Sequence, residues 1–175
     1  MQNPMLRMAN SITNASMRLL AALLLAAAAP AQAEEMPDWF AETLLDVREE
    51  VADAAKDGKR LMLYFWQEGC PFCQRMTSVT FRDAAVVERL KRGFVPVGIN
   101  TRGDREITWT DGKMTSEKEL AAMLKVRGTP TLVFLDEHGA AALRLVGYVP
   151  PAEFARALDS LSTAPRAALR SASPR

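Results

Sequence analysis

The sequence predicts an α/β fold: a mixed central β-sheet flanked by α-helices, with an extra N-terminal helix. Strand-like apolar runs alternate with helical segments along most of the chain, which indicates parallel strands joined by helices. Near the C-terminus two strand-like runs are separated by a short turn, which adds an antiparallel hairpin. With 175 residues, of which 49% are hydrophobic, the chain is long enough for one domain with an ordinary core.

Residues 1–33 have the pattern of a secretory signal peptide. Arg7 and Arg18 precede the apolar run Leu19–Ala29, and an A-x-A cleavage site ends at Ala33. The run is shorter than the roughly 20 apolar residues that a membrane-spanning helix needs, and an uncleaved anchor is the alternative. We therefore expect export to the bacterial periplasm, an oxidising compartment in which disulfides persist.

Residues 34–58 are predicted to form the N-terminal helix, which Gly58 ends. The continuous apolar run Leu61–Trp66 predicts a central strand that is buried on both faces. The apolar side chains of the N-terminal helix lie close to a helical period: Trp39, Phe40, Leu44, Leu45, Val47 and Val51.

A second helix is predicted over 71–92, with a bend at 82–84, because Pro71 suits a first helical turn. Strand Phe94–Asn100 follows. The polar segment 101–115 is interpreted as a long loop or small flap. Such a flap would either flank the functional site and select partners or only cover a sheet edge.

Ser116 and Glu119 have the spacing of a capping box, which marks the start of the next helix. The β-branched and aromatic run 131–136 and the run 141–148 enclose the turn "EHGA", so they are predicted to pair as a hairpin. The segment 150–161 is predicted to close the domain as a helix.

The rest of the chain adds little about partners. The tail, residues 162–175, lacks periodicity and is predicted to be disordered. Lys and Arg (22) nearly balance Asp and Glu (21) and are scattered along the chain, so no nucleic-acid partner is expected.

The stretch "GCPFCQ" contains both cysteines, Cys70 and Cys73, between the central strand and the second helix. A structural disulfide usually closes a longer loop, and a gap of two residues constrains the unfolded chain little. A tetrahedral zinc site needs three or four ligands, whereas the chain offers two cysteines and one histidine, His138, in a predicted turn. No metal site is predicted, and a redox pair is favoured.

The redox interpretation depends on the position of Cys70 at a helix N-terminus. Backbone N–H groups there stabilise a thiolate, which lowers the pKa of the Cys70 thiol and makes Cys70 the attacking cysteine. Cys73, one turn further along, can then resolve the mixed disulfide. The pair exchanges two electrons and needs no cofactor.

The stretches "LYFWQEGCPFCQ" and "VRGTPTLVFLDEHG" resemble the active-site strand and the cis-proline strand of the thioredoxin superfamily, and the resemblance covers residues 59–161. More narrowly, "QEGCPFC", "GDREIT", "SEKELA", "TPTLVFLDEHG" and "RLVGYVPPAEF" resemble SoxW-type periplasmic thioredoxins, which are found with bacterial sulfur-oxidation systems.

The resemblance implies a thioredoxin fold with a cis peptide bond between Thr129 and Pro130, beside the cysteines. The Thr129 backbone would pair with an extended substrate segment as an added strand. The resemblance also implies electron supply from a membrane thiol transporter. The substrate would be a protein with a disulfide or thiol, such as a carrier protein of sulfur oxidation or an apocytochrome.

One position departs from the thioredoxin pattern. Tyr64 stands six residues before Cys70, where many thioredoxins have a buried aspartate that assists proton transfer. Glu68 is a candidate for that proton transfer, and a solvated loop carboxylate is the favoured alternative. Phe72, between the cysteines, is expected to be exposed and to contact partners, whereas Trp66 is expected in the core.

The sequence thus predicts a monomeric periplasmic thiol–disulfide oxidoreductase that reduces protein disulfides. Two alternatives use the same fold. One is a disulfide oxidase or isomerase, and the other is a non-catalytic carrier of a metal or a protein. The dipeptide between the cysteines, Pro71-Phe72, has no basic side chain, which argues against the most oxidising potentials.

Overall fold

The computed structural model describes residues 36–41 and 46–163. The predicted signal peptide, residues 1–33, lies outside them, as does most of the predicted tail. No helix in the described part of the chain is both long and apolar enough to cross a membrane. The helices are α1 (Val47–Lys56), α2 (Pro71–Ser78), a 3-10 helix (Thr80–Arg82), α3 (Ala84–Gly93), α4 (Glu117–Met123) and α5 (Pro151–Thr163). The strands are β1 (Arg60–Trp66), β2 (Phe94–Asn100), β3 (Glu106–Thr108), β4 (Met114–Ser116), β5 (Thr131–Leu135) and β6 (Ala141–Val146).

A four-stranded sheet with the order β2-β1-β5-β6 forms the centre of the fold. Strands β1 and β2 run parallel, whereas β5 pairs antiparallel with both β1 and β6. All of β5 is buried, and so is β1 from Leu61 to Phe65, because helices cover both faces of the sheet. The predicted α/β class with a mixed sheet is confirmed.

Alternate residues of the central strands pack into two separate apolar clusters. Met62 and Tyr64 face an aromatic cluster built with the 3-10 helix, α3 and α5. Leu63 and Phe65 face an aliphatic cluster built with α1 and α4. Each large apolar side chain that is fully buried in this way contributes roughly 1.5–3 kcal/mol to folding.

The N-terminal helix exists but is shorter than predicted, since α1 begins at Val47. The carboxylate of Asp46 accepts hydrogen bonds from the backbone N–H groups of Arg48 and Glu49, which fixes the helix start. Trp39 and Phe40 lie before the helix, in a segment of residues 36–41 that we call the N-terminal strap.

The strap packs on the face of the sheet opposite to α1. Phe40 stacks edge-on against Tyr64 and lies 5.3 Å from Phe81 between ring centroids. The backbone N–H of Ala41 donates to the Pro96 carbonyl of edge strand β2 at 2.9 Å. Burial in the aromatic cluster therefore outweighs the helical spacing of these residues.

Three other segments differ in detail from the prediction. The second helix is interrupted, because the Asp83 side chain caps a new helix, α3, where the bend was expected. The segment 101–115 contains β3 and most of β4, which form a two-stranded hairpin. Helix α5 continues to Thr163, so the first two residues of the predicted tail are helical, and 164–175 lie outside the described residues.

Candidate active site

The two cysteines lie where β1 passes into α2. Gly69 has a φ of +71°, a left-handed conformation that glycine adopts without strain, and it turns the chain into the helix. Cys70 is the N-cap residue, and its Sγ accepts a hydrogen bond from the backbone N–H of Cys73 at 3.1 Å. Pro71 occupies the first helical turn, where its missing N–H leaves no helical hydrogen bond unmade.

Cys70 and Cys73 form a disulfide, with 5.2 Å between their Cα atoms. The two cysteines differ in access, since Cys70 is 6% exposed and Cys73 is fully buried. Of the two cysteines, only Cys70 has exposed surface that an approaching protein can contact. Cys70 is therefore suited to attack, and Cys73 is suited to resolve.

Thr129 and Pro130 lie beside the disulfide, in the loop before β5. The Thr129 hydroxyl is 3.3 Å from Cys70 Sγ, and the Thr129 carbonyl oxygen is 3.5 Å from the same atom. The peptide bond between Thr129 and Pro130 is cis. The Pro130 carbonyl accepts a hydrogen bond from the backbone N–H of Gly147 at 2.8 Å, which ties this loop to the end of β6.

Two exposed apolar side chains lie at the same end of the sheet as the disulfide. Phe72 is 58% exposed, as the sequence predicted, and it lies between the two cysteines. Val146, at the end of β6, is 67% exposed and pairs with Thr131, next to Pro130. Sequence reasoning missed Val146, because only the strand register brings it to the site. Trp66, expected in the core, is half-buried.

Glu68 and Tyr64 occupy very different environments. Glu68 is exposed, and its carboxylate makes no hydrogen bond or ion pair within the described residues, as expected of a solvated loop carboxylate. Tyr64 is fully buried, and its hydroxyl donates to the Cys73 carbonyl at 3.3 Å. Of the two side chains, Tyr64 is the one that touches the cysteine segment.

The start of the segment 101–115 borders the active-site loop, since the backbone N–H of Thr101 donates to the Trp66 carbonyl at 2.8 Å. The buried carboxylate of Glu117 anchors this part by accepting hydrogen bonds from the Asn100 N–H at 3.0 Å and from Arg105 at 2.8 Å. Further along, Ile107 of β3 is buried in the aliphatic cluster. The segment therefore both adjoins the site and covers the core.

Within the described residues, few side chains that could bind a metal lie close together. No group of three or more His, Cys, Asp or Glu side chains converges there. His138 lies in the turn between β5 and β6, and its ring is exposed.

Comparisons with known proteins agree with this architecture. A family model described as a thioredoxin-like domain matches residues 47–162. Two curated relatives are the thiol:disulfide interchange proteins DsbD of Actinobacillus pleuropneumoniae and Vibrio vulnificus, each 26% identical, over 122 and 134 residues. These matches cover 69% and 75% of this chain but 19% and 21% of the relatives, so the chain spans about a fifth of their length. The solution structure of a thioredoxin from Thermus thermophilus is 32% identical, with a TM-score of 0.54, and the match covers 68% of this chain and 85% of that one.

Proposed function

We propose that this chain, which belongs to the thioredoxin-like domain family, reduces disulfide bonds of exported proteins in the bacterial periplasm. The family and the Cys70–Cys73 pair support a thiol–disulfide oxidoreductase. One observation carries the proposal: the sulfur of Cys70, the less buried of the two cysteines, caps a helix and lies 3.5 Å from the Thr129 carbonyl oxygen, where a substrate strand would pair.

The reduced protein would act in two exchange steps. The Cys70 thiolate attacks a substrate disulfide, forms a mixed disulfide and releases one substrate thiolate, which takes up a proton. The Cys73 thiol then loses its proton and attacks Cys70 Sγ, which forms the Cys70–Cys73 disulfide and releases the second substrate thiol. Two electrons pass from the protein sulfurs to the substrate. Water takes up the proton that Cys73 loses and supplies the protons that the two substrate thiolates gain.

The hydrogen-bond donors at Cys70 favour this sequence of steps. The Cys73 N–H and the Thr129 hydroxyl both point at Cys70 Sγ, at 3.1 and 3.3 Å, and they would stabilise a thiolate there after reduction. Phe72 would contact apolar side chains of the substrate. Thr129 and Pro130 would hold its backbone. Glu68 is exposed and makes no hydrogen bond to the cysteine segment, so we assign the proton that Cys73 loses to water rather than to Glu68.

The segment between the cysteines supports the reductase direction. Pro71 and Phe72 place no basic side chain beside the thiolate, which argues against a strongly oxidising potential of about −120 mV and favours a reducing to intermediate one. A reductase in an oxidising compartment needs a dithiol donor. We propose a membrane thiol transporter as this donor, and the similarity to thiol:disulfide interchange proteins supports redox partners that are proteins. The narrower resemblance to SoxW-type thioredoxins stays a prediction, and so does the monomeric state.

Trapping of the mixed disulfide tests the proposal. The Cys73→Ala variant, expressed with its leader, should accumulate disulfide-linked partners at Cys70, which mass spectrometry identifies after release with dithiothreitol. The Cys70→Ala variant is the matched control and should trap none. A carrier would give no trapped partner in either variant. A disulfide oxidase would show a glutathione-titrated potential near about −120 mV in the wild type, which contradicts the reductase direction.

A further inference from the structure

One edge of the central sheet carries the disulfide and the loops around it. The register places Trp66, at the end of β1, opposite Asn100 at the end of β2. Thr131, at the start of β5, lies opposite Phe65 on one side and Val146 on the other. We define the active-site edge as the residues at these strand ends and in the loops that leave them: 66–75, 100–103, 127–131 and 146–148.

The charged residues of the active-site edge are three arginines, Arg75, Arg102 and Arg127, and one glutamate, Glu68. All four are exposed, and none of them forms an ion pair within the described residues. Lys118, on the neighbouring helix, pairs with Asp104. The active-site edge therefore has more positive than negative charges, and within the described residues no carboxylate forms an ion pair with its arginines.

Arg75 is the most firmly placed of the three arginines. Its guanidinium carbon lies 4.4 Å from the centroid of the Tyr148 ring, and it is two residues beyond Cys73 on α2. Tyr148 packs against the aromatic cluster, and Gly147, beside it, is hydrogen-bonded to Pro130. A guanidinium stacked on a ring keeps its N–H groups available at its rim, where they match a carboxylate.

We propose that Arg75, supported by Arg102 and Arg127, selects partner proteins whose disulfide lies in an extended acidic segment. This inference rests on the proposed function. The exposed Phe72 and Val146 would contact the apolar side chains of that segment, while its carboxylates would meet the arginines at the rim. Because these charges are exposed, complementary charge would change the rate of association by a few-fold for each pair, and salt would screen the effect.

Three synthetic peptides test the inference. Each contains the same two cysteines joined as a disulfide, and the flanking residues are all Glu, all Gln or all Lys. The reduced protein is mixed with each peptide, and the second-order rate constant of peptide reduction is measured by acid quench and mass spectrometry. Measurements at about 0.01 M and about 1 M salt compare Debye lengths of about 30 Å and about 3 Å. We expect the Glu peptide to react about tenfold faster than the Lys peptide at low salt, and the preference to vanish at high salt.

Variants then assign the preference to Arg75. Arg75→Gln should lower the Glu-to-Lys rate ratio by about threefold, and Arg75→Lys, which keeps the charge but not the stacked guanidinium, should restore only part of it. Lys91→Gln is the matched control, because it removes an exposed, unpaired charge at the opposite edge of the sheet. Thermal unfolding checks that each variant is folded.

The outcomes separate the two proposals. Equal rates for the three peptides with the wild type overturn the inference and leave the reductase function intact. A uniform loss of rate on all peptides in Arg75→Gln also overturns it, because Arg75 would then only support the fold. Failure to reduce any peptide overturns the reductase function itself.

Discussion

Helices α2 and α4 begin in the same way but differ in what surrounds the cap. In each, the N-cap side chain accepts a hydrogen bond from the backbone N–H three residues further on: Ser116 from Glu119, and Cys70 from Cys73. The first turn of α4 also contains two glutamates, and the Glu119 carboxylate accepts from the Ser116 N–H at 2.9 Å. The first turn of α2 contains no acidic residue.

This difference shows how one local geometry can be either structural or reactive. At α4 the positive end of the helix dipole is already matched by carboxylates, so the cap only fixes where the helix begins. At α2 the anion that matches the dipole is the Cys70 thiolate itself, once the disulfide is reduced. The absence of acidic residues from the first turn of α2 is therefore as important for reactivity as the presence of the sulfur.

The largest effect is expected from Cys70→Ser, which keeps the cap and removes the thiolate. Insulin reduction should fall to background, because a hydroxyl is not ionised near neutral pH. Stability to urea should stay within about 1 kcal/mol of the reduced wild type, since serine is a favoured N-cap residue. Ser116→Ala should behave in the opposite way, with a loss of about 1 kcal/mol and full activity. If Cys70→Ser retained activity, the Cys70 thiolate at the start of α2 would not be the attacking group.

A smaller effect is expected when the first turn of α2 is made to resemble that of α4. In the Phe72→Glu variant a carboxylate would compete with the thiolate for the helix dipole and repel it, which raises the pKa of the Cys70 thiol. Alkylation by iodoacetamide at mildly acidic pH should slow by about three- to tenfold relative to Phe72→Gln, which has the same size without the charge. Equal alkylation rates in these two variants would show that the dipole does not control the thiol.

The two helix starts also show what could be predicted from the sequence. The capping box at Ser116 and the junction at Cys70 are signalled by residues within one turn, so both were found by pattern alone. The start of α1 was not, because Trp39 and Phe40 leave the helical register to pack on Tyr64 and Phe81 across the sheet. Whether these two residues continue the helix or pack on the sheet is decided by tertiary packing, which local sequence does not show.

Some neighbours of the disulfide could likewise be predicted from the sequence, and others could not. The proximity of Thr129 and Pro130 to the cysteines came from a resemblance to a known family, since nearly 60 residues separate them along the chain. Val146 and the contact between Arg75 and Tyr148 were not predicted at all, because strand register and a ring contact create them. Local chemistry could be read from the sequence, whereas the shape of the partner surface required the fold.

The smallest effect is expected from the charge of the Glu119 carboxylate at the start of α4. Hydrogen bonds from the Ser116 backbone N–H and side chain, and then from Thr115, hold the pKa of Glu119 below its usual value of 4.5. In the folded protein the group therefore binds fewer protons near this pH than in the unfolded chain. The resulting stability is fully present above the unfolded pKa and is lost as pH falls through the folded pKa.

Glu119→Gln isolates this contribution, because glutamine can still accept the hydrogen bond from the Ser116 N–H but carries no charge. The difference in unfolding free energy between the wild type and this variant, measured in urea, should be constant well above the usual pKa of 4.5 and should shrink as the pH falls below that value. Other carboxylates titrate in the same range in both proteins and cancel in the difference. A difference that does not change with pH would mean that the hydrogen bond, and not the charge, stabilises the start of α4. The carboxylates at the start of α4 would then not match the helix dipole in the way that we infer for the Cys70 thiolate at the start of α2.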